Sequence, residues 1–231
     1  MILSGHQPVY LPGIILFNKM ALSDLFIYFG HVQFSPKSWQ QRNRIALNGQ
    51  EHFLAVPVMK ADRFGQTIDE VDILNTPWRR KHLGSIRQAY SHRPYFKQYF
   101  PALEATLNQQ HSGLGALNRA LIELIRNWLE ITTPVVESHA YPDINGSKTD
   151  MLIQMCRAVG AERYLSNEGS RAYVDETEMA NQGLQHCWQL FEHPVYEQGQ
   201  AFMADCSAID VVFNLGPAAG SLVRQAGCIA G

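Results

Sequence analysis

The residues with the greatest chemical capacity stand close to the N-terminus. His6 and Gln7 precede Pro8, Tyr10 precedes Leu11-Pro12, and Lys19 follows within two helical turns. An imidazole changes charge near neutral pH, so His6 is suited to acid/base work or to contacting a phosphate. Lys19 would add a positive charge to the same anion. Pro8 and Pro12 stiffen a loop that runs from Gly5 to Gly13. The competing interpretation is structural, with His6 capping a helix or bonding a buried carbonyl.

Three further clusters follow. The first is basic and aromatic: Lys37, Trp39, Arg42, Asn43 and Arg44, then Trp78, Arg79, Arg80, Lys81 and His82. Arginine forks and aromatic faces suit a phosphate attached to a flat base or a sugar. Asn145-Gly146-Ser147-Lys148-Thr149-Asp150 resembles the tail of a phosphate loop, but a true loop needs glycine where Tyr141 stands. A helix N-terminus with Lys148 can still hold an anion, and Ser147 with Asp150 reads equally as a capping pair. The last cluster joins His193, Pro194, Tyr196 and Gln198 to Asp210, Asn214, Gly216 and Pro217. It reads as a pocket wall in which Asp210 orients a catalytic group or caps a helix.

Some chemistries find no support. There is no nucleophile elbow, dinucleotide fingerprint or His-x-x-x-His pair. Cys156, Cys187, Cys206 and Cys228 stand far apart, so neither a zinc knuckle nor a redox pair is expected, and the thiols read as buried and free. No metal and no cofactor is expected.

The elements that must position these residues alternate along the chain. Met1–Ser4 reads as a strand, the His6 loop follows, 14–22 reads as a helix and 25–29 as a strand. In a parallel sheet that loop lies at the carboxyl end of the first strand, where α/β proteins bind their ligands. Asn48-Gly49 between apolar runs predicts a hairpin, and the polar segment 32–44 before it a long loop. Residues 76–131 read as three helices, the last carrying Leu114, Leu117, Leu121, Leu124, Ile125 and Trp128 on one face. Strands are expected at 134–137, 163–166 and 184–191, with a helix from Ser147 to Gly160 and a short helical run from Ser207 toward Phe213. The closing 226–231 reads as a frayed end. The expected architecture is a single α/β domain over 1–231, with a mainly parallel Rossmann-like sheet, a β-hairpin and a helical insertion at 76–131.

The 231 residues are 46% hydrophobic and 17% charged, the balance of a globular chain with a real core, and the net charge of −2 offers no broad attraction to nucleic acid or anionic membrane. The apolar stretch 13–30 is interrupted by Asn18, Lys19, Ser23 and Asp24, too often for a membrane span. A small-molecule or carrier-bound substrate in the cytoplasm, with neither nucleic acid nor membrane as partner, is the expectation.

Together these residues resemble the WbqC-like family. The resemblance is carried by His6-Gln7-Pro8, Tyr10-Leu11-Pro12, Lys19, Asp24, Val32-Gln33-Phe34, Trp39, Arg42-Asn43, Val56-Pro57-Val58, Trp78 and Lys81-His82. It continues through Tyr90, Pro94-Tyr95-Phe96, Lys148-Thr149-Asp150, Tyr164-Leu165-Ser166, His193-Pro194, Tyr196, Gln198, Ser207, Asp210, Phe213-Asn214 and Gly216-Pro217. The family is associated with gene clusters for bacterial surface polysaccharides such as O-antigen. The resemblance implies a transferase of acyl, aminoacyl, glycosyl or nucleotidyl type. In that reading His6, Lys19 and Asp210 are catalytic, while Gln7, Tyr10, Gln33, Trp39, Arg42, Asn43, Lys81, His82, Lys148, Tyr196, Gln198 and Asn214 bind substrate, with Tyr10, Gln33 and Asn214 toward the acceptor. The rival is a non-catalytic subunit that holds a nucleotide sugar or a carrier-bound group. The chain departs from the family pattern at Gly30-His31, where an acidic residue is usual, and at Gly13, where tryptophan is usual. A working acid at the first place would have to come from elsewhere.

Overall fold

A computed structural model describes residues 1–60, 63–144, 146–199 and 201–230. The first strand, β1 (Ile2–His6), is the centre of the sheet. It pairs in parallel with β2 (Leu25–Tyr28) on one side and with β6 (Arg163–Asn167) on the other, so that Ser4 stands between Phe26 and Leu165. Outside β2 lies β5 (Val135–Glu137), and outside β6 lie β7 (Gln185–Phe191) and the antiparallel edge strand β8 (Gly227–Ala230). The order is therefore β5-β2-β1-β6-β7-β8.

The chain winds outward from β1 to β5, then crosses back to β6 and winds the other way. That reversal leaves a crevice between the carboxyl ends of β1 and β6, because the connections on either side diverge. Both faces of the strands are covered, which is why Phe26, Ile27 and Tyr28 form an unbroken apolar run. Phe26 and Tyr28 pack into the larger core, with α1 (Ile14–Ala21), α2 (Trp78–Tyr90), α3 (Phe96–Asn108), α4 (Leu114–Trp128), α7 (Ile209–Leu215) and α8 (Ala218–Gln225). Ile27 and Leu3 face the smaller core under α5 (Lys148–Val159) and α6 (Glu176–Asn181). On α4 the stripe Leu114, Leu117, Leu121 and Ile125 is fully buried, as its spacing requires. The mixed α/β architecture is Rossmann-like, as expected.

The hairpin forms a separate two-stranded sheet of β3 (Arg42–Leu47) and β4 (Gln50–Ala55). Its turn residues Asn48 and Gly49 lie at φ 53° and 71°, the left-handed pair that a tight primed turn needs.

Several expectations are corrected. Ser147 makes no side-chain cap on α5, and Asp150 instead accepts from Gln154 at 3.0 Å. Lys148, the first residue of α5, sits at φ 52°, outside the ordinary helical region. A reciprocal capping box does occur, at Thr67 and Glu70. Asn145 and Gly231 lie outside the described residues. The closing segment is not frayed: 227–230 is β8, and a side chain at Gly227 would come within 2.5 Å of the Leu190 carbonyl. Cys228 on that edge is exposed, whereas Cys156, Cys187 and Cys206 are buried. Among the described residues no helix is long and apolar enough to cross a membrane.

Candidate functional site

His6 is the last residue of β1 rather than part of the loop after it, and the turn proper spans 7–13. Amide side chains from distant elements hold that turn. Asn43 donates to the Leu11 carbonyl at 2.8 Å, and Asn118 of α4 donates to the carbonyls of Pro8 at 3.0 Å and Gln40 at 2.7 Å. The Tyr10 amide bonds the Trp39 carbonyl at 3.0 Å. Held this way, buried Leu11 takes φ 42°, a conformation that a leucine adopts only under tertiary constraint.

Two cavities open at this end of the sheet, of about 310 Å³ and 780 Å³. They share His6, Val9, Lys19, Trp39 and Asn167, so they are two lobes on either side of one histidine and one lysine. The larger lobe runs toward α5 and adds Gln7, Gln33, Lys148, Tyr164 and Ser166; neither Asp nor Glu lines it. The smaller lobe lies over the N-terminus of α1 and adds Gly13, Ile15, Asn43 and Gln189. Its one carboxylate, Asp205, is paired with Arg44 at 3.3 Å.

Lys19 is 3% exposed, and its ammonium donates to the Gly5 carbonyl at 2.9 Å. No carboxylate among the described residues pairs with it, and burial pulls its pKa from 10.5 down to about 7. Burial, reinforced by the Lys19 charge, lowers His6 to about 3, against a smaller opposing effect of the Gln7 carbonyl. His6 Nδ1 lies 2.8 Å from that carbonyl, which can only accept, so Nδ1 carries the hydrogen and Nε2 is a bare acceptor. At neutral pH the junction of the lobes thus offers an uncharged imidazole and an amine balanced between two states.

Trp39 lines both lobes, and hairpin residues that line neither, Arg42 and Phe53, pack beside it together with Arg44 of the smaller lobe. Trp39 and Phe53 stack with their rings 6.3 Å apart; Arg42 lies over Phe53 at 4.9 Å and Arg44 over Trp39 at 5.8 Å. Gln40 donates to the Gln7 side chain, tying the 32–44 loop to the turn.

Other expected site residues lie elsewhere. Tyr10 is fully buried and meets His82 Nδ1 at 2.8 Å, so that pair is core rather than cavity wall. Lys81 faces solvent on α2 and lines neither lobe. Asp210 is fully buried: Tyr90 and Tyr196 donate to its two oxygens, each at 2.8 Å, and Asn214 donates at 3.2 Å. Burial raises its pKa, and the tyrosine bonds oppose that rise. Gln198 donates to the Tyr196 hydroxyl and the Met203 carbonyl, completing a cluster that borders neither lobe. Tyr10, Asn214 and Asp210 thus line neither lobe, whereas His6 lines both.

The family's departure at Gly30 has a structural counterpart. A side chain built at Gly30 would meet the Asp69 carboxylate at 2.0 Å, so a carboxylate occupies that space from another part of the chain. Asp69 is bonded to Arg119 and lines neither lobe. Sequence reasoning missed Ser166 and Asn167 at the end of β6, and Gln189. The crevice rule for the strand after the crossover was the one signal that pointed to the first two.

The WbqC-like protein family matches residues 7–222. An uncharacterized protein of Mycobacterium tuberculosis (strain ATCC 25618 / H37Rv), Rv1507c, is 30% identical over 223 residues, which cover 94% of this chain and 95% of the relative. No solved structure matches. With that match running from Gln7 through the turn, the Lys148 helix and β6, the chain belongs to the WbqC-like protein family.

Proposed function

We propose that this protein is a transferase whose larger lobe holds a phosphate-bearing activated donor, a nucleotide sugar or a carrier-bound acyl or aminoacyl group, in bacterial surface polysaccharide or related biosynthesis. The observation that carries the reading is the charge of that lobe: Lys19 and Lys148 line it and no carboxylate does. An anion entering there meets two amines and the N-terminal end of α5. Trp39, which lines the lobe, offers a flat face to a base or sugar.

The chemistry follows from what borders the donor. An acceptor O–H or N–H yields its proton to His6 Nε2 as its heteroatom bonds the donor's electrophilic carbon or phosphorus. The leaving group departs with the bonding electron pair, and Lys19 offsets its charge. The bound anion raises the proton affinity of both His6 and Lys19, so the base strengthens only when a donor is in place. A second reading, a non-catalytic holder of the same donor, is favoured by Asp69, whose carboxylate near Gly30 is already bonded to Arg119.

The test is a thermal-shift screen of wild type, His6→Ala and Lys19→Met against nucleotide sugars, nucleotides and acyl-coenzyme A. The expected result is a donor class that stabilises wild type and fails to stabilise Lys19→Met. If Lys19→Met responds as the wild type does to every compound, the donor does not lie in this lobe. Turnover that vanishes in His6→Ala while binding persists favours the transferase; binding without turnover in either protein favours the holder.

A further inference from the structure

The larger lobe also borders a hydroxyl with a base attached to it. Ser166 of β6 lines that lobe, and its Oγ lies 2.9 Å from Nε2 of His186 on β7. The two strands run in parallel, with Tyr164 opposite His186 and Ser166 opposite Trp188. Residues two apart on a strand share a face, as do residues opposite each other across a pair. Ser166 and His186 therefore stand on the face of Tyr164, which packs in the smaller core under α5 and α6. The larger lobe occupies that face, with Met151 and Leu152 of α5 in its wall. A serine there has only a methylene and a hydroxyl to present.

The surroundings of His186 suit it to take a proton. Its ring meets Trp188 edge-on at 4.3 Å and stacks on Tyr164 at 6.3 Å, which fixes its plane. Burial lowers its pKa, against the charge of Glu176, so at pH 7 the imidazole is neutral and has a bare nitrogen. Ser166 Oγ has no second partner among the described residues, so its hydrogen goes to Nε2 and the ring hydrogen sits on Nδ1. That Nδ1 has no partner either. A histidine placed only to complete a core would satisfy both nitrogens; this one makes its one bond to a hydroxyl on the cavity wall. The Glu176 carboxylate, which accepts from Trp188 Nε1 at 3.0 Å, carries the charge that steadies an imidazolium once the proton arrives.

We infer that Ser166 is a nucleophile with His186 as its base, and that the transferred group is acyl or aminoacyl and rests on Ser166 Oγ between donor and acceptor. The transfer rests on the transferase reading above; the nucleophile rests on Ser166, His186 and the lobe alone. In the first half Ser166 Oγ bonds the acyl carbon as its proton passes to His186 Nε2. The bond to the leaving group breaks, and the leaving group keeps the electron pair. In the second half the acceptor heteroatom bonds the same carbon and yields its proton to His6. The bond from that carbon to Oγ then breaks, and His186 returns its proton to Oγ. A glycosyl group would call for a carboxylate nucleophile, and none lines the lobe.

The test is acylation by p-nitrophenyl acetate, followed by p-nitrophenolate release, intact mass and peptide mapping. Wild type is expected to give a burst of about one equivalent, with the acetyl group on Ser166. Mapping of the wild type needs no variant, so it decides the matter even where a substitution disturbs the sheet. Ser166→Ala should abolish the burst, and His186→Gln should slow it about a hundredfold. Acetyl groups on surface lysines with Ser166 unmodified, or a burst that either substitution leaves unchanged, overturn the inference. An acetylated Ser166 that amines and alcohols discharge no faster than water overturns the transferase reading and leaves the nucleophile standing. Donor turnover with Ser166 inert does the reverse.

Discussion

His6 with Lys19, and Asp210 with Tyr90 and Tyr196, are both sets of ionisable groups packed away from water, yet they are satisfied in opposite ways. Around Asp210 each carboxylate oxygen receives a tyrosine hydroxyl at 2.8 Å, and an asparagine supplies a third donor. Around Lys19 the ammonium has one carbonyl, and His6 Nε2 has no protein partner among the described residues. The satisfied cluster borders neither lobe, and the unsatisfied one borders both. Burial alone therefore does not mark a site. A closed network ties α2, α7 and the 193–203 segment into one piece, whereas an open one facing a cavity is held ready for something that arrives.

The strongest way to break this comparison is to remove Asp210. Asp210→Ala leaves two buried tyrosine hydroxyls and the Asn214 amide without their acceptor, and should cost about 3–5 kcal/mol of stability. Denaturant unfolding of the purified variant measures it. A loss of under about 1 kcal/mol would mean that the cluster is not structural and that Asp210 belongs with the reactive groups after all.

Much of the architecture was readable because its signals are local. The aromatic and branched run at 25–28, the Asn-Gly turn and the three-four spacing on α4 each depend on neighbours in sequence. The strand β8 was not readable: Gly227-Cys228-Ile229-Ala230 has no alternation of its own, and it exists because β7 offers it an edge. The six-residue α6 is too short to show a face of its own, and the small-residue helix α8 packs chiefly on α1 at the other end of the chain. Within the site, His6 and Lys19 sit thirteen residues apart and read as one feature, as a strand, turn and helix would place them. Gln189 could not be read, because it reaches the lobe only through the β6–β7 crossover and an amide relay to Asn18. The bond from Asp210 to Tyr90 was equally hidden: an acid in the first turn of a short helix looks the same whether it faces a cavity or a tyrosine 120 positions away.

Lys19 offers the converse experiment, a substitution that stabilises. Its pKa falls from 10.5 to about 7 on folding, so between those values the unfolded chain binds a proton that the native chain does not. Stability then rises with pH across that window, and at pH 7 nearly the whole penalty of the buried amine is present. Lys19→Met should therefore unfold about 2–4 kcal/mol less readily at pH 7, with the gain shrinking toward pH 10. The same variant should lose the donor response. Less stability at pH 7 together with intact binding would show Lys19 to be a structural strut.

His6 should move stability by about 2 kcal/mol, and only in acid. Its folded pKa of about 3 lies below the ordinary 6.5, so the unfolded imidazole takes up a proton that the folded one refuses. Wild type should lose stability as the pH falls from 6.5 toward 3, and His6→Gln should lose less. Near pH 7 the two should differ by under about 1 kcal/mol. Parallel thermal unfolding curves from pH 7 to 4 decide it; identical acid sensitivity would mean that His6 is free to charge inside the fold.

The smallest effect sharpens the comparison most, because it concerns the empty partner position itself. Sulfate keeps its charge through the neutral range, so any change in its affinity there reports the protein. With Lys19 near 7 and His6 already neutral, raising the pH from 6 to 8 discharges the amine and should weaken sulfate about tenfold. At pH 7 each binding event should take up part of a proton, seen as a calorimetric heat that depends on the ionisation enthalpy of the buffer. Lys19→Met should flatten both signals. An unchanged affinity from pH 6 to 8 in the wild type would mean that the anion never touches Lys19, and the lone buried amine would then need another reason to be there.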